Sequence, residues 1–402
     1  MNVLIVQNTQ NDPSSGAAGT EYQTGLHLRC QGHKVDHLWA DDLVGPRLKN
    51  GRLDQVFPLA FRMRRAVRAR LAEHAYDVIH VNQPYGFLVT MDPSCQKQAV
   101  IVNRSHGLEP RRVEAVWPVE RRHSRWTTRF HPIWAPLRWL TNRLDAIYLR
   151  AAARHSDGVI VSCSEDRDWL WQRWQIPQQR VRVIPQAPAS CFFTTPLPHP
   201  EPANRWRTVC YAAWTGAQKG LYAMVEALDL LVERRADFQL RWVTHADAHE
   251  SVRRELSAGA RQRVTLLNWM PQSQLTTMLD ECGFFLCPSL FEGFGKAPLE
   301  AMARGLCVIA SNVGGMRDII RNGQDGILIP IGTPSRGDGV GDAQALADAL
   351  TGLLAEPERA RQIGAAARDR AKEYTWDRVA RETVTFYQEL AQRKWGRPTG
   401  AH

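Results

Sequence analysis

No run of 18 or more apolar residues occurs in the 402-residue sequence, so no segment reads as a membrane-spanning helix. The opening Met1-Asn2-Val3-Leu4-Ile5-Val6-Gln7 is too short for a leader and lacks its charged start, and it reads as a buried first strand. Cysteine pairs at metal-binding spacing are also missing. The eight cysteines are scattered, the closest pair is Cys282 and Cys287, and no Cys-x-x-Cys occurs. That pattern excludes a zinc set and fits reduced, buried thiols in a cytosolic protein. No recognisable nucleic-acid-binding module is present, so no nucleic-acid partner is expected.

What is present is an ordinary globular composition, 44% hydrophobic and 23% charged, long enough for two domains with separate cores. The charge is uneven. Residues 1–200 hold 26 Lys and Arg against 17 Asp and Glu, whereas the remainder holds 25 against 24. The first half therefore suits an anionic neighbour, whether nucleic acid, an acidic lipid surface or an acidic acceptor. Its basic segments also carry aromatic residues. Residues 111–154 contain ten Arg with Trp117, Trp126, Trp134 and Trp139, and Phe61–Leu71 carries five Arg on a helical pattern. Arginine with interfacial tryptophan suits peripheral contact with an anionic membrane, on the inner face of a cell membrane for a cytoplasmic protein. A solvated arginine face over buried tryptophans is the alternative.

Short apolar runs alternate with helical patterns along the chain. Strands are expected at 2–7, 34–39, 77–81, 98–103, 157–161 and 181–185, with helices at 19–31 and 60–74. Prolines at 188, 196, 198, 200 and 202 then suggest an extended linker over 191–206. The alternation resumes with strands at 208–212, 239–243, 263–267, 283–287, 307–310 and 327–329, and closes with helices at 342–354, 357–372 and 376–394. Two doubly wound α/β domains follow from this order, at 1–190 and 207–375. The final helix, within 376–402, is free to pack back on the first domain.

The most informative segment is Pro288-Ser-Leu-Phe-Glu-Gly-Phe-Gly-Lys-Ala-Pro-Leu-Glu300. An apolar strand ends at Cys287, a loop with two glycines follows, and a helix begins near Ala297-Pro298. Gly293 and Gly295 permit close backbone approach, and the amides at the helix start can hold an anion. Glu292 lies before the helix and Glu300 within its first turn or so, so one carboxylate can reach a sugar hydroxyl near a diphosphate and the other can accept from ribose hydroxyls. Without further context the two glutamates could equally be a loop charge and a residue that favours the helix dipole. Asp166-Arg-Asp168 is literally an Asp-x-Asp, but after Ser164 it reads as the acidic first turn of a capped helix; no metal site is expected.

This segment resembles the Glu-x7-Glu signature of the family-four retaining glycosyltransferases (glycosyl transferases group 1). So do Gly305-Leu-Cys-Val-Ile-Ala-Ser-Asn-Val-Gly-Gly-Met-Arg-Asp318, with Asp318 in place of the family's usual Glu, and Asn322–Pro330. The resemblance covers 264–330 nearly without gaps, and weaker matches extend it over most of the chain. It implies the GT-B fold: α/β, two Rossmann-like doubly wound domains facing each other across a cleft. It also implies retaining transfer of a sugar from a nucleoside diphosphate sugar to a glycan or lipid-linked acceptor hydroxyl, in cell-surface glycan or glycolipid synthesis, with no cofactor beyond the donor. The same resemblance gives Lys219, in Tyr211–Gly220, to the diphosphate and His106, in Ser105-His-Gly107, to the transferred sugar. Glu292 would orient the sugar, and Phe294, Gly295, Lys296, Glu300 and Gly19 would border the substrates. Trp214 stands where the family carries an arginine, Ala18 replaces one glycine of the N-terminal pair, and Gln186-Ala187 replaces Asn-Gly. An epimerase or phosphorylase of the same fold, or a non-catalytic sugar- or lipid-binding relative, is the alternative.

Overall fold

A computed structural model describes residues 1–13, 16–43, 58–122, 135–331 and 340–396, with side chains described for all of these except 121–122, 135–138 and 340–342. Trp126 and Trp134 lie outside the described residues. The chain forms two compact units. One comprises residues up to 111, from 135 to 186, and from 375 onward; the other comprises the described residues of 112–129 and 187–374.

Each unit is built on one six-stranded sheet in which every pairing is parallel. The strands are near-continuous apolar runs because helices cover both faces of such a sheet. β1 (Asn2–Val6) is fully buried from Val3 to Val6, and β11 (Cys307–Ser311) is buried throughout. In the first unit the order is β2-β1-β3-β4-β5-β6, with β2 at Lys34–Leu38, β3 at Val78–Asn82, β4 at Val100–Arg104, β5 at Gly158–Val161 and β6 at Val181–Val183. The chain steps from β1 to β2 on one side and then returns to place β3 on the other. That reversal opens a crevice at the carboxyl ends of β1 and β3, where such sheets hold ligands.

The second sheet runs β12-β11-β10-β7-β8-β9, with β7 at Thr208–Ala212, β8 at Gln239–Thr244, β9 at Val264–Asn268, β10 at Phe284–Cys287 and β12 at Ile327–Ile329. Here the reversal falls between β7 and β10. All twelve strands stand where the alternation places them. The fourth begins at Val100 rather than residue 98, because Gln98 ends a short helix that Asp92 caps by accepting from the Ser94 amide at 2.9 Å.

Six helices bear on the sites. They are α1 (Ala17–Cys30), α2 (Pro58–Glu73), α3 (Glu109–Arg122), α4 (Ala135–His155), α5 (Lys296–Ala303) and α6 (Trp376–Trp395). Helix α6 is part of the first unit and packs on α1 and β4. Thr375 caps it, its Oγ1 accepting from the Arg378 amide at 3.2 Å. A Cβ on Gly158 would sit 2.5 Å from Leu390 and 2.7 Å from Phe386, so a larger residue in β5 would have to displace these side chains of the helix. Burial of Phe386, Tyr387 and Leu390 contributes about 1.5–3 kcal/mol each.

The proline-rich stretch is not the extended tether its composition suggests. Phe192 is fully buried, and Arg304, also fully buried, donates to the carbonyls of Phe192 at 3.0 Å, Thr195 at 2.7 Å and Pro196 at 3.2 Å. The same guanidinium grips Asp280 with two bonds of 2.8 Å. Proline removes donors and leaves carbonyls, and a buried guanidinium supplies what those carbonyls need. The segment is thereby strapped to the second unit.

Residues 112–122, expected in the first domain, fall in the second unit. The reason is apolar packing: Val116 is buried against Ala217 and Phe291.

Candidate functional site

In the second unit three loops meet at the carboxyl ends of adjacent strands. The loop after β7 ends in a turn, Ala217–Lys219, and Gly220 follows at φ +76°. A Cβ on Gly220 would lie 1.8 Å from the Pro288 carbonyl oxygen, which brings this loop directly onto the one after β10. The Leu290 amide donates to the Gln218 carbonyl at 2.9 Å and ties the two further. Gly295, at φ +100°, caps α5, and the loop after β11 closes on it: Gly315 has room only for hydrogen against the Phe294 carbonyl. Left-handed backbone at 220 and 295 is open to glycine with little cost.

This framework holds Lys219 against Glu292. The ammonium donates to the Glu292 carboxylate at 2.6 Å, and the Ser289 hydroxyl donates to the same oxygen at 2.9 Å. Burial opposes the charge on Lys219, but Glu292 beside it outweighs burial and raises its pKa. Lys219 is thus a fixed cation with its carbonyl held by the Tyr211 hydroxyl at 2.7 Å. Burial and the neighbouring Glu292 push the Cys287 thiol up to about 12, which makes it inert packing at the strand end.

Glu300 lies one turn into α5 and is buried, with the Lys296 ammonium 3.9 Å away. Burial raises its pKa to about 7 in spite of that lysine. Phe294 is buried with its ring 6.0 Å from that of Tyr374, so its side chain packs within the unit. Trp214 is 37% exposed and its ring covers Gly216, so no guanidinium stands at that position.

The first unit holds a second cluster. Glu21, Arg104 and His80 are fully buried, and His106 sits at their edge. Glu21 Oε1 lies 3.1 Å from His106 Nε2 and 3.2 Å from Arg104 Nε, and its other oxygen is 3.5 Å from His80 Nε2. Burial alone would raise the Glu21 pKa; Arg104 and the two imidazoles outweigh it and hold the carboxyl far below the usual range. Burial depresses His80 to about 4 and lowers His106 as well, in each case against the pull of Glu21. His80 is also bonded through Nδ1 to the Tyr387 hydroxyl of α6. Gly19 lies in the first turn of α1, where a Cβ would meet the Pro13 carbonyl at 2.5 Å; the close approach there is by the chain's own loop.

His106 also faces a cavity of about 390 Å³ at the ends of β1, β3 and β4. Asn8, Asn82 and Gln83 contribute to its wall from the strand ends, and Thr141 and Asp145 from α4. Of these cluster and wall residues, sequence reasoning singled out only His106. A signal existed: Gln7-Asn8 and Asn82-Gln83 place paired amides immediately after buried strands, and Glu21 follows the small-residue loop directly. Asp166, from the Asp-x-Asp, is buried on Arg111, whose Nε donates at 2.6 Å. Its helix begins at Ser164 with Cys163, not the serine, at the N-cap. Among the described residues no group of three or more His, Cys, Asp or Glu has metal-holding geometry.

Family models match both units. Residues 207–356 match the model described as glycosyl transferases group 1, and 16–187 match that for glycosyltransferase family 4. The chain is 27% identical to an α-maltose-1-phosphate synthase of Mycolicibacterium smegmatis, over 64% of this chain and 71% of that protein. It is 28% identical to a D-inositol 3-phosphate glycosyltransferase of Xylanimonas cellulosilytica, over 60% of this chain and 58% of that one. A phosphatidyl-myo-inositol mannosyltransferase of Mycobacterium leprae is 29% identical over 43% of this chain and 44% of its own length. Among solved structures, sucrose-phosphate synthase from Thermosynechococcus elongatus superposes with a TM-score of 0.72 at 22% identity, over 98% of this chain and all of the other. Anabaena HepE, solved with UDP and glucose, gives a TM-score of 0.64 at 17% identity, over 98% and 99% of the two chains.

Proposed function

The chain belongs to the family-four glycosyltransferases, and from that premise we propose that it moves a sugar from a nucleoside diphosphate donor to an acceptor hydroxyl with retention at the anomeric carbon. It is a glycosyltransferase of two Rossmann-like units. The donor, its base, the acceptor and the stereochemical course belong to the proposal.

The observation that carries this reading is the Lys219–Glu292 pair at the point where the second sheet reverses, beside a helix start freed by Gly295. Departure of the nucleoside diphosphate develops negative charge on its terminal phosphate. A fixed ammonium and the first amides of α5 meet that charge without reorganising, and this requires no divalent metal. Glu292, held by Ser289 and Lys219, orients the hydroxyls of the sugar, and Glu300 takes the ribose. With Trp214 in place of an arginine, Lys296 at the first position of α5 supplies the second cation near the phosphates. HepE, a structural neighbour, binds UDP and glucose, which supports a nucleotide-sugar donor here.

The test is a panel of nucleotide sugars scored for release of free nucleoside diphosphate, with and without glycan and lipid acceptors, followed by NMR of the anomeric proton in the product. Acceptor-dependent release with retained configuration is expected. Donor conversion with no acceptor would instead mark an epimerase, dependence on inorganic phosphate a phosphorylase, and an inverted product would end the retaining assignment.

Membrane contact is proposed for the first unit. Helices α2 and α4 meet through Ala60, Phe87, Tyr148 and Ala152, and they expose Phe61 by 57%, Trp139 by 54%, Leu140 by 47% and Ile147 by 59%. Arg65, Arg143 and Arg150 lie on the same helices, and no helix of the described residues is long and apolar enough to cross a membrane. Apolar side chains among guanidinium groups suit peripheral binding to an anionic leaflet. Flotation with acidic liposomes should fall on adding salt; flotation that ignores lipid charge and salt would overturn the proposal.

A further inference from the structure

The two cations assigned to the phosphates each have a carboxylate beside them. Lys219 Nζ lies 2.6 Å from Glu292 Oε1, and Lys296 Nζ lies 3.9 Å from Glu300 Oε1. Trp214 adds no charge at the position where the family carries an arginine. The Lys219–Glu292 pair is the tighter of the two and the more firmly built. The Glu292 side chain is 8% exposed, and the Ser289 hydroxyl donates to the same carboxylate oxygen at 2.9 Å. The Lys219 amide donates to the Gly216 carbonyl at 3.1 Å, and the Tyr211 hydroxyl holds the Lys219 carbonyl. The ammonium thus has a buried anion fixed next to it before any ligand arrives.

A phosphate that approaches Lys219 meets that anion as well. In a nucleotide sugar the terminal phosphate is linked on two sides and carries a single negative charge. Once the sugar has left, the same phosphate has a second ionisable oxygen with a pKa of about 6, and it is close to doubly charged at neutral pH. Repulsion between like charges a few ångströms apart, partly shielded from water, is strong. The added charge therefore weighs against the spent nucleotide and not against the intact donor. The sugar makes a second difference. Its hydroxyls can donate to Glu292 while the ammonium turns to the phosphate, whereas the freed terminal phosphate offers the carboxylate mainly acceptors and charge.

We propose that the Lys219–Glu292 pair sorts the intact donor from the spent nucleotide: it accepts a sugar-bearing diphosphate and expels the free nucleoside diphosphate. The proposal rests on the transfer reading and adds to it the means by which the site empties after each turnover.

Calorimetry on the full chain without acceptor tests it. UDP-glucose, GDP-mannose and ADP-glucose are each set against the free nucleoside diphosphate and against the methyl ester on its terminal phosphate. The ester keeps the single charge and lacks the sugar, so it separates charge from hydroxyl contacts. For a base that the protein binds, the wild type should take the intact donor at least about tenfold more tightly than the free diphosphate, with the ester between them. Glu292→Gln keeps the shape and removes the charge. It should bind the free diphosphate about tenfold more tightly than the wild type does, and so narrow or reverse the preference. A gain of this kind separates sorting from a merely structural role, because a damaged site weakens every ligand. Melting curves check that the variant folds, and Glu292→Ala takes its place if it does not. Free diphosphate bound by the wild type as tightly as the ester and the donors, or bound no better by the Glu292 variant, would overturn the proposal and leave the transfer reading standing. If the wild type bound no nucleotide sugar and no nucleoside diphosphate, the transfer reading would fall and the proposal with it.

Discussion

Glu300 is the residue whose chemistry is most sensitive to ordinary conditions. Burial raises its pKa to about 7, so the empty site holds a proton there through mildly acidic pH. If the carboxylate accepts from ribose hydroxyls, nucleotide binding draws on the ionised form. Affinity for the nucleoside diphosphate should then rise about tenfold between pH 6 and pH 8, and Glu300→Gln should flatten that dependence; calorimetry across the pH range measures both. The sign for folding is opposite. A raised carboxyl pKa favours the folded state at low pH, and that contribution fades as pH climbs from the usual glutamate value through 7. Glu292 is held by Lys219 and Ser289. Glu292→Gln keeps the shape but removes the charge, and it should lower turnover about 10²–10³-fold with little change in thermal stability, measured by steady-state kinetics and a melting curve. Both glutamates could be read from the sequence, because their spacing places them on either side of a helix start. Glu21 could not: its role depends on His80, Arg104 and His106, which come from three other places in the chain.

At the scale of elements, the glycine turns carry the donor side. Gly220 combines a left-handed φ with a carbonyl where a Cβ would be. Gly220→Ala should cost more than the roughly 1–2 kcal/mol of left-handed backbone, since Pro288 must move, and nucleotide binding should weaken alongside Tm. A Gly220→Ala protein with unchanged Tm and affinity would show that these loops are not coupled. The strap at 191–206 gives a second prediction. Arg304→Leu strips three carbonyls and the Asp280 carboxylate of their donors and should destabilise the protein by about 3–5 kcal/mol in denaturant titration. Strands and the closing helices were legible because their apolar period is local, whereas α3 and α4, rich in arginine, were not expected as helices. The strap was misread because proline density signals extension, while the guanidinium that fastens it lies about a hundred residues further on in the sequence.

For the molecule as a whole, the two units should respond to acid in opposite ways. In the first unit burial depresses His80 to about 4, so the folded state refuses a proton that the unfolded chain accepts near 6.5. The stability that His80 contributes is therefore lost as pH falls from about 6.5 to 4, while Asp166, raised by burial to about 6, works against that loss, and the loss from Glu21 follows at lower pH. The second unit gains from the Glu300 proton over the upper part of the same range. Calorimetry at pH 5 and pH 7.5 should show the first unit's transition moving down relative to the second, the latter marked by its shift on adding nucleoside diphosphate. Parallel sheets and the two-unit plan were within reach of sequence reasoning, since alternation of strands and helices constrains connections so strongly. The first unit's cavity was not, because its amides gain meaning only when neighbouring strand ends are brought together.

The most direct test of the whole account is calorimetric titration of UDP, GDP and ADP onto the wild-type chain and Lys219→Met. The account predicts one-to-one binding of at least one of them, weakened at least about tenfold in the variant as expected for a lost contact between lysine and phosphate. Equal affinity for the two proteins, or binding of none of the three nucleotides to the wild type, would contradict it.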